Sequence, residues 1–140
     1  MDRIQGGIVK GIKFKNTHNF SKKQLVELFS AVNFKEAEFG DKLVISIKNF
    51  KTIFSAWDGE KLVGMVCVMD DGILNAYVHY ILVHPDYQLK GIGKDLLKRV
   101  QSHYEDYLNL VVVSTNDKSR FFEYSGFEGI DETILMYVGD

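Results

Sequence analysis

The chain has 140 residues, 46% of them apolar, a formal net charge of -2, four histidines, one proline and one cysteine. This size and apolar fraction fit one domain with an ordinary core, so 1–140 is read as a single unit in which 1–7 is a weak segment and a candidate for disorder. The charge balance argues against general nucleic-acid binding, no apolar run is long enough to span a membrane, and the start of the chain shows no signal-peptide pattern.

Taken in chain order, Lys10 to Lys15 reads as an edge strand, in which the small basic cluster of Lys10, Lys13 and Lys15, interleaved with Ile12 and Phe14, marks a solvent face. Ser21 and Gln24 form a capping box ahead of Leu25, Leu28, Phe29 and Val32, which recur at helical spacing. Asp41 is expected to cap a shorter helix carrying Leu43, Val44 and Ile47, with Phe50 as a further candidate. Three strands should follow: Thr52 to Trp57, ending at the hairpin signal Asp58-Gly59; Lys61 to Met69, ending at Asp70-Asp71-Gly72; and Ile73 to Val83. Cys67 lies inside the second of these and reads as a packing residue. With no partner for a disulfide, it points to a reducing, cytoplasmic setting.

After Val83 come His84-Pro85-Asp86-Tyr87, then Gln88-Leu89-Lys90-Gly91-Ile92-Gly93-Lys94 opening an amphipathic helix. A helix start has unpaired N–H groups and partial positive charge, so it attracts anions. Gly91 and Gly93 let a diphosphate approach the backbone, and Lys90 and Lys94 add charge. Other phosphate motifs fit worse. A P-loop needs four residues between its glycines and Ser or Thr after the lysine, where this chain has one residue and Asp95. The dinucleotide fingerprint needs a third glycine where Leu96 stands.

The helix face is marked by Ile92, Leu96, Val100, Tyr104 and Tyr107. Leu108 to Ser114, apolar and without alternation, reads as a strand buried on both faces and parallel to its predecessor. Asn116 to Ser125 reads as a short helix with Asn116 as its N-cap, and Ile130 to Val138 as a final strand.

The stretch from Val83 to Gly93 resembles the pyrophosphate-binding motif of the GNAT superfamily of acyl-CoA-dependent N-acyltransferases. In that pattern an apolar-Val-x-Pro lead-in precedes Gln/Arg-x-x-Gly-x-Gly/Ala, positions held here by Gln88, Gly91 and Gly93. Asn116, Gly126 and Phe127 match a second, C-terminal motif, with Ser119 in place of its usual alanine. The element order β-α-α-β-β-β-α-β-α-β is also that of the GNAT fold, so the resemblance implies an α/β (α+β) protein with a mixed central sheet.

It further implies acetyl-CoA as acyl donor, held by the backbone of Ile81, Leu82 and Val83, by residues 88–94 including Leu89 and Ile92, and by the Asn116 side chain. The implied reaction is direct attack by a primary amine in a ternary complex. The chain departs from the family at Phe122, where a tyrosine usually stands beside the cofactor sulfur as proton donor.

Something must accept the amine's proton, since an amine near pKa 10 is mostly charged at pH 7. His79 is the candidate, because it lies on the strand entering the cofactor site and imidazole titrates near neutrality. By alternation Tyr77 and His79 share one face and Tyr80 the other, unless a bulge changes the phase. His84 is expected to position backbone, and His18 and His103 to lie at the surface. No histidine spacing suits a metal. The region from Phe20 to Phe50, with Phe29, Phe34, Phe39, Phe50, Glu36, Glu38 and Asp41, is where the family contacts its acceptor. An acidic, aromatic rim would suit a cationic amine, although core aromatics and solvated acids explain it as well. Two readings stand: an acetyltransferase acting on a small-molecule or protein amine, and a catalytically weak acyl-CoA-binding or sensing module. The first has no nucleic-acid or membrane partner and leaves a homodimer open.

Overall fold

A computed structural model describes residues 11–139; the expectations for 1–7 and for Lys10 lie outside the described residues. Five strands form one sheet in sequence order: β1 (Lys13–Lys15), β2 (Thr52–Asp58), β3 (Lys61–Asp70), β4 (Asn75–Val83) and β5 (Asn109–Val112). The first four pair antiparallel, and β5 pairs parallel to β4 after a helical crossover. Local chemistry sets the turns. Asp58 and Lys61 face each other across the Gly59 turn. The Asp71 carboxylate accepts backbone N–H bonds from Ile73, Leu74 and Asn75, which closes the β3–β4 connection and holds its own pKa well below the usual carboxylate range.

Helices cover both faces. On one lie α1 (Lys22–Ala31), a 3₁₀ segment (Lys35–Phe39) and α2 (Gly40–Lys48). The capping box at α1 is present: Gln24 N–H donates to Ser21 Oγ at 3.0 Å, and Ser21 N–H to Gln24 Oε1 at 2.9 Å. Leu25, Leu28, Phe29, Leu43 and Ile47 pack here against Ile53, Met65, Cys67, Tyr80 and Leu82. On the other face α3 (Ile92–His103) packs Ile92, Leu96 and Val100 against Ala56, Val63, Val66, Val68 and Val78. Cys67 is fully buried, and burial pushes its thiol pKa up, as suits a packing residue.

Several expectations about the elements need correction. Asp41 does not cap α2. The helix runs from Gly40, behind Phe39, to Lys48, so Phe50 lies beyond it, and Asp41 sits in its first turn paired with Lys22 at 3.1 Å. The third helix ends at His103 with Tyr104 as its C-cap, so Tyr107 lies beyond it, its ring 4.8 Å from that of Tyr104. The strand β5 is not buried on both faces: Val111, and Val113 just beyond the strand, are exposed. Finally, 127–139 forms no strand, and Ile130, Ile134, Leu135, Met136, Tyr137 and Val138 are exposed. Apolar pattern alone does not make a strand without a ladder partner to satisfy its backbone.

Candidate active site

The strand β4 pairs with β5 only from Asn75↔Asn109 to Val78↔Val112, although it runs on to Val83. Residues 79–83 therefore face no strand on that side among the described residues. Beyond Val83 the chain makes a 3₁₀ turn (Pro85–Tyr87), in which His84 Nδ1 accepts from Asp86 N–H at 3.1 Å, the backbone-positioning role expected of His84. Gln88 Nε2 donates to the Val83 carbonyl at 3.0 Å and ties the loop to the strand end.

Two left-handed residues then turn the chain into α3, Leu89 at φ 63° and Gly91 at φ 89°. For leucine that conformation costs on the order of 1–3 kcal/mol, and strain of this kind concentrates at ligand sites. The burial of Ile92, Leu96, Leu97 and Val100 on α3, roughly 1.5–3 kcal/mol each, holds the loop in place. Gly91 occupies the N-cap without a side chain to satisfy the first-turn N–H groups, which leaves them available to an anion. Lys90 and Lys94 are exposed on either side. A Cβ on Gly93 would come within 3.1 Å of Phe121 Cζ, so a side chain there would meet that ring. Residues 88–94 thus lie at the mouth of the opening between β4 and β5.

On the α1/α2 face, the register between β3 and β4 shifts at Cys67/Val68, and His79 is the extra residue. This bulge flips the phase of β4. Val78 packs toward α3, whereas Tyr80 and Leu82 pack toward α1 and α2, so Tyr77, His79 and Tyr80 share one face. His79 is exposed; its ring stacks on Phe50 at 5.8 Å and meets Tyr80 edge-on at 4.5 Å. His79 Nδ1 and the Tyr77 hydroxyl lie 3.3 Å apart, a hydrogen bond whose donor is set by the imidazole tautomer.

The buried Tyr80 donates its hydroxyl to Glu36 Oε2 at 2.7 Å; burial first, and the carboxylate second, push its pKa up. Phe29 and Phe34 complete this wall against Tyr80. Of the aromatics in the expected acceptor region, Phe29 and Phe50 are core, while Phe34 is exposed beside Tyr80. Phe39 lines a separate cavity of about 380 Å³ with Glu38, Asp41, Lys22 and Lys42, a mixed-charge site away from His79.

A family model for the acetyltransferase (GNAT) domain matches residues 18–136. The chain belongs to the GNAT acetyltransferase family. It is 29% identical over 92 residues to an uncharacterized N-acetyltransferase, ycf52, of Gracilaria tenuistipitata var. liui, a match covering 61% of this chain and 50% of that protein. The chain thus spans about half the length of that relative. Its fold is similar to that of a GNAT family acetyltransferase from Streptococcus pneumoniae TIGR4, with a TM-score of 0.79 at 23% identity over 91% of this chain and 98% of the other. It is also similar to glucosamine-6-phosphate N-acetyltransferase from Arabidopsis thaliana, with a TM-score of 0.70 at 14% identity over 91% and 99%.

In this GNAT chain the second motif spans a 3₁₀ turn (Asn116–Lys118) and α4 (Ser119–Tyr124). Asn116 does not cap the helix. Lys118 holds that position, and Asn116 is exposed, its carbonyl accepting from Ser119 Oγ at 3.0 Å. Phe122 is buried between Phe121 and Phe127, and it is Phe121 that packs over Gly93. His18 is half-buried rather than a surface residue, its ring nitrogen 2.9 Å from the Phe50 carbonyl, and so fixes the residue against which His79 stacks. His103 is exposed as expected. Sequence reasoning missed the Tyr80–Glu36 pair and the role of His18, because their partners are 44 and 32 residues apart and no local pattern links them. Among the described residues no three His, Cys, Asp or Glu side chains are grouped to hold a metal.

Proposed function

We infer that this chain transfers an acetyl group from acetyl-CoA to a primary amine, by direct attack within a ternary complex. The observation that carries the reading is the opening along 79–83, which joins the α3 helix start to the face bearing His79. Acetyl-CoA would be bound as a substrate. Its diphosphate suits the first-turn N–H groups of α3 with Lys90 and Lys94, and its pantetheine arm suits the unpaired edge at Ile81, Leu82 and Val83, with Asn116 at the exposed rim. Backbone N–H groups along that edge can stabilise the oxyanion formed at the thioester carbon. His79, exposed and braced by Phe50 and Tyr80, accepts the amine's proton. The Tyr80–Glu36 pair places a carboxylate on the same face, which suits an acceptor carrying positive charge. The buried cysteine suits a reducing, cytoplasmic setting.

A second reading is supported by Phe122, which has no proton to give a thiolate: an acyl-CoA-binding module with weak turnover. One experiment separates the two. Isothermal titration with acetyl-CoA is run beside thiol release against a panel holding a small amine, an amino acid, an aminoglycoside and a peptide N-terminus. Binding with release on at least one amine is expected. Binding without release on any favours the module, and absence of binding overturns both.

A further inference from the structure

Acetyl transfer must deliver one proton to the departing sulfur. The amine gives up a proton and the CoA thiolate must gain one, yet α4 offers only Phe122 at the position where the family carries its tyrosine. We propose that Tyr77 protonates the departing thiolate and works with His79 as a two-residue relay. This rests on the acetyl-transfer reading above.

Two tyrosines of β4 lie on the His79 face, Tyr77 and Tyr80. The Tyr80 proton is committed, since its buried hydroxyl donates to Glu36 at 2.7 Å. Tyr77 is half-exposed, and its hydroxyl lies 3.3 Å from His79 Nδ1. The position of Tyr77 in the sheet is the second argument. It stands one residue before Val78↔Val112, the last rung joining β4 to β5. A pantetheine arm passing from the start of α3 through the opening along 79–83 is stopped by that rung. The thioester at its tip is then held where Tyr77 and His79 meet. The bulge adds a third point: it leaves His79 as the extra residue of β4, outside the β3 register and exposed beside the opening.

The step balances without a further reactant. At the outset His79 is neutral, its Nδ1–H donated to the Tyr77 oxygen and its Nε2 unprotonated. The acceptor attacks as its neutral amine, the ammonium having first lost a proton to solvent; its nitrogen forms the C–N bond to the thioester carbon and passes one proton to His79 Nε2. As the C–S bond breaks, the Tyr77 O–H proton goes to sulfur and the His79 Nδ1 proton goes to the Tyr77 oxygen. The products are the amide, the neutral thiol, neutral Tyr77 and the other neutral tautomer of His79. Because His79 is exposed, solvent exchange restores its starting tautomer.

The test uses the full chain, the amine of the panel above that turns over fastest, and two donors: acetyl-CoA and its selenoester analogue. A selenolate is a weaker base and needs less protonation to leave. Amide formation is followed by mass spectrometry. With acetyl-CoA, Tyr77→Phe should lower kcat by about 10²-fold, in the range of a lost general acid, with donor affinity changed by less than about twofold. With the selenoester the deficit should shrink to about fivefold or less. Equal deficits on both donors would show that Tyr77 merely holds His79 in place, and an unchanged kcat would show no role; either overturns the relay while acetyl transfer stands. Wild-type protein gives a second measure that needs no variant. Its kcat should differ little between the donors, and a large preference for the selenoester means unassisted departure and also overturns the relay. If the wild type acetylates no amine, the acetyl-transfer reading fails and the relay with it.

Discussion

At the C-terminal end of α3 the Tyr104 hydroxyl lies 2.6 Å from Asp70 Oδ2, to which it donates, and 2.7 Å from Thr52 Oγ1, with Lys51 at 3.9 Å from the same carboxylate. At the N-terminal end Gly91 supplies no cap, Leu89 is held at positive φ, and β4 has parted from β5. One helix therefore has a closed polar network at one end and open backbone at the other. The contrast separates stability from chemistry. A buried polar group without a partner is costly, so a polar end built only for structure is saturated. Unpaired donors persist where a ligand can supply the partner.

The widest expected separation between the two ends comes from His79→Ala. It should lower kcat/KM by roughly 10²–10⁴-fold, as loss of a general base does. Acetyl-CoA affinity by titration and the melting temperature should change little, because His79 is exposed. Near-normal rates would move the base elsewhere.

The converse substitution, Tyr104→Phe, should cost about 1–3 kcal/mol in denaturant unfolding and leave kcat of the folded protein unchanged. Its hydroxyl is the hydrogen-bond partner of an Asp70 side chain only 2% exposed. The same variant has a pH signature. Burial first, and then Asp70, raise the Tyr104 pKa above its ordinary value, so folding favours the protonated phenol. That contribution is complete below about pH 10, where the unfolded tyrosine is protonated, and is lost as pH rises through the raised folded value. Wild-type stability should therefore fall above about pH 10 more steeply than that of Tyr104→Phe. Parallel curves would place the alkaline loss at other tyrosines.

The smallest effect belongs to the open end's charge. The double variant Lys90→Glu, Lys94→Glu should weaken acetyl-CoA binding by about tenfold at low salt, and less as salt screens the exposed charges. Stability should hold, since both side chains are exposed. Unchanged affinity at low salt would remove the lysines from the phosphate site and leave the backbone to hold it.

Much of the frame was legible because its causes are local. The Ser21–Gln24 box, the Asp58-Gly59 hairpin, the Asp71 turn and the Gly91 helix start each depend on residues within four positions of one another. Strand β5 and the tail were misread for one reason. Apolar content says that a strand could be buried, while a neighbouring strand or helix decides whether it is.

The placement of the site could not be read in the same way. Ala76, Val78, Tyr80 and Leu82 are all buried, so the alternation along β4 continues unbroken through the bulge. Both faces of this strand are covered, and a face flip therefore leaves no mark in the hydrophobic pattern. The sequence by itself determined the element order, the glycine-bearing helix start and the family. Only the tertiary structure decided that Tyr77, His79 and Tyr80 share a face and that Glu36 meets Tyr80 there. Contacts of that kind depend on how β3 and β4 register and on where the 3₁₀ segment seats, which are properties of packing and not of any short run of residues.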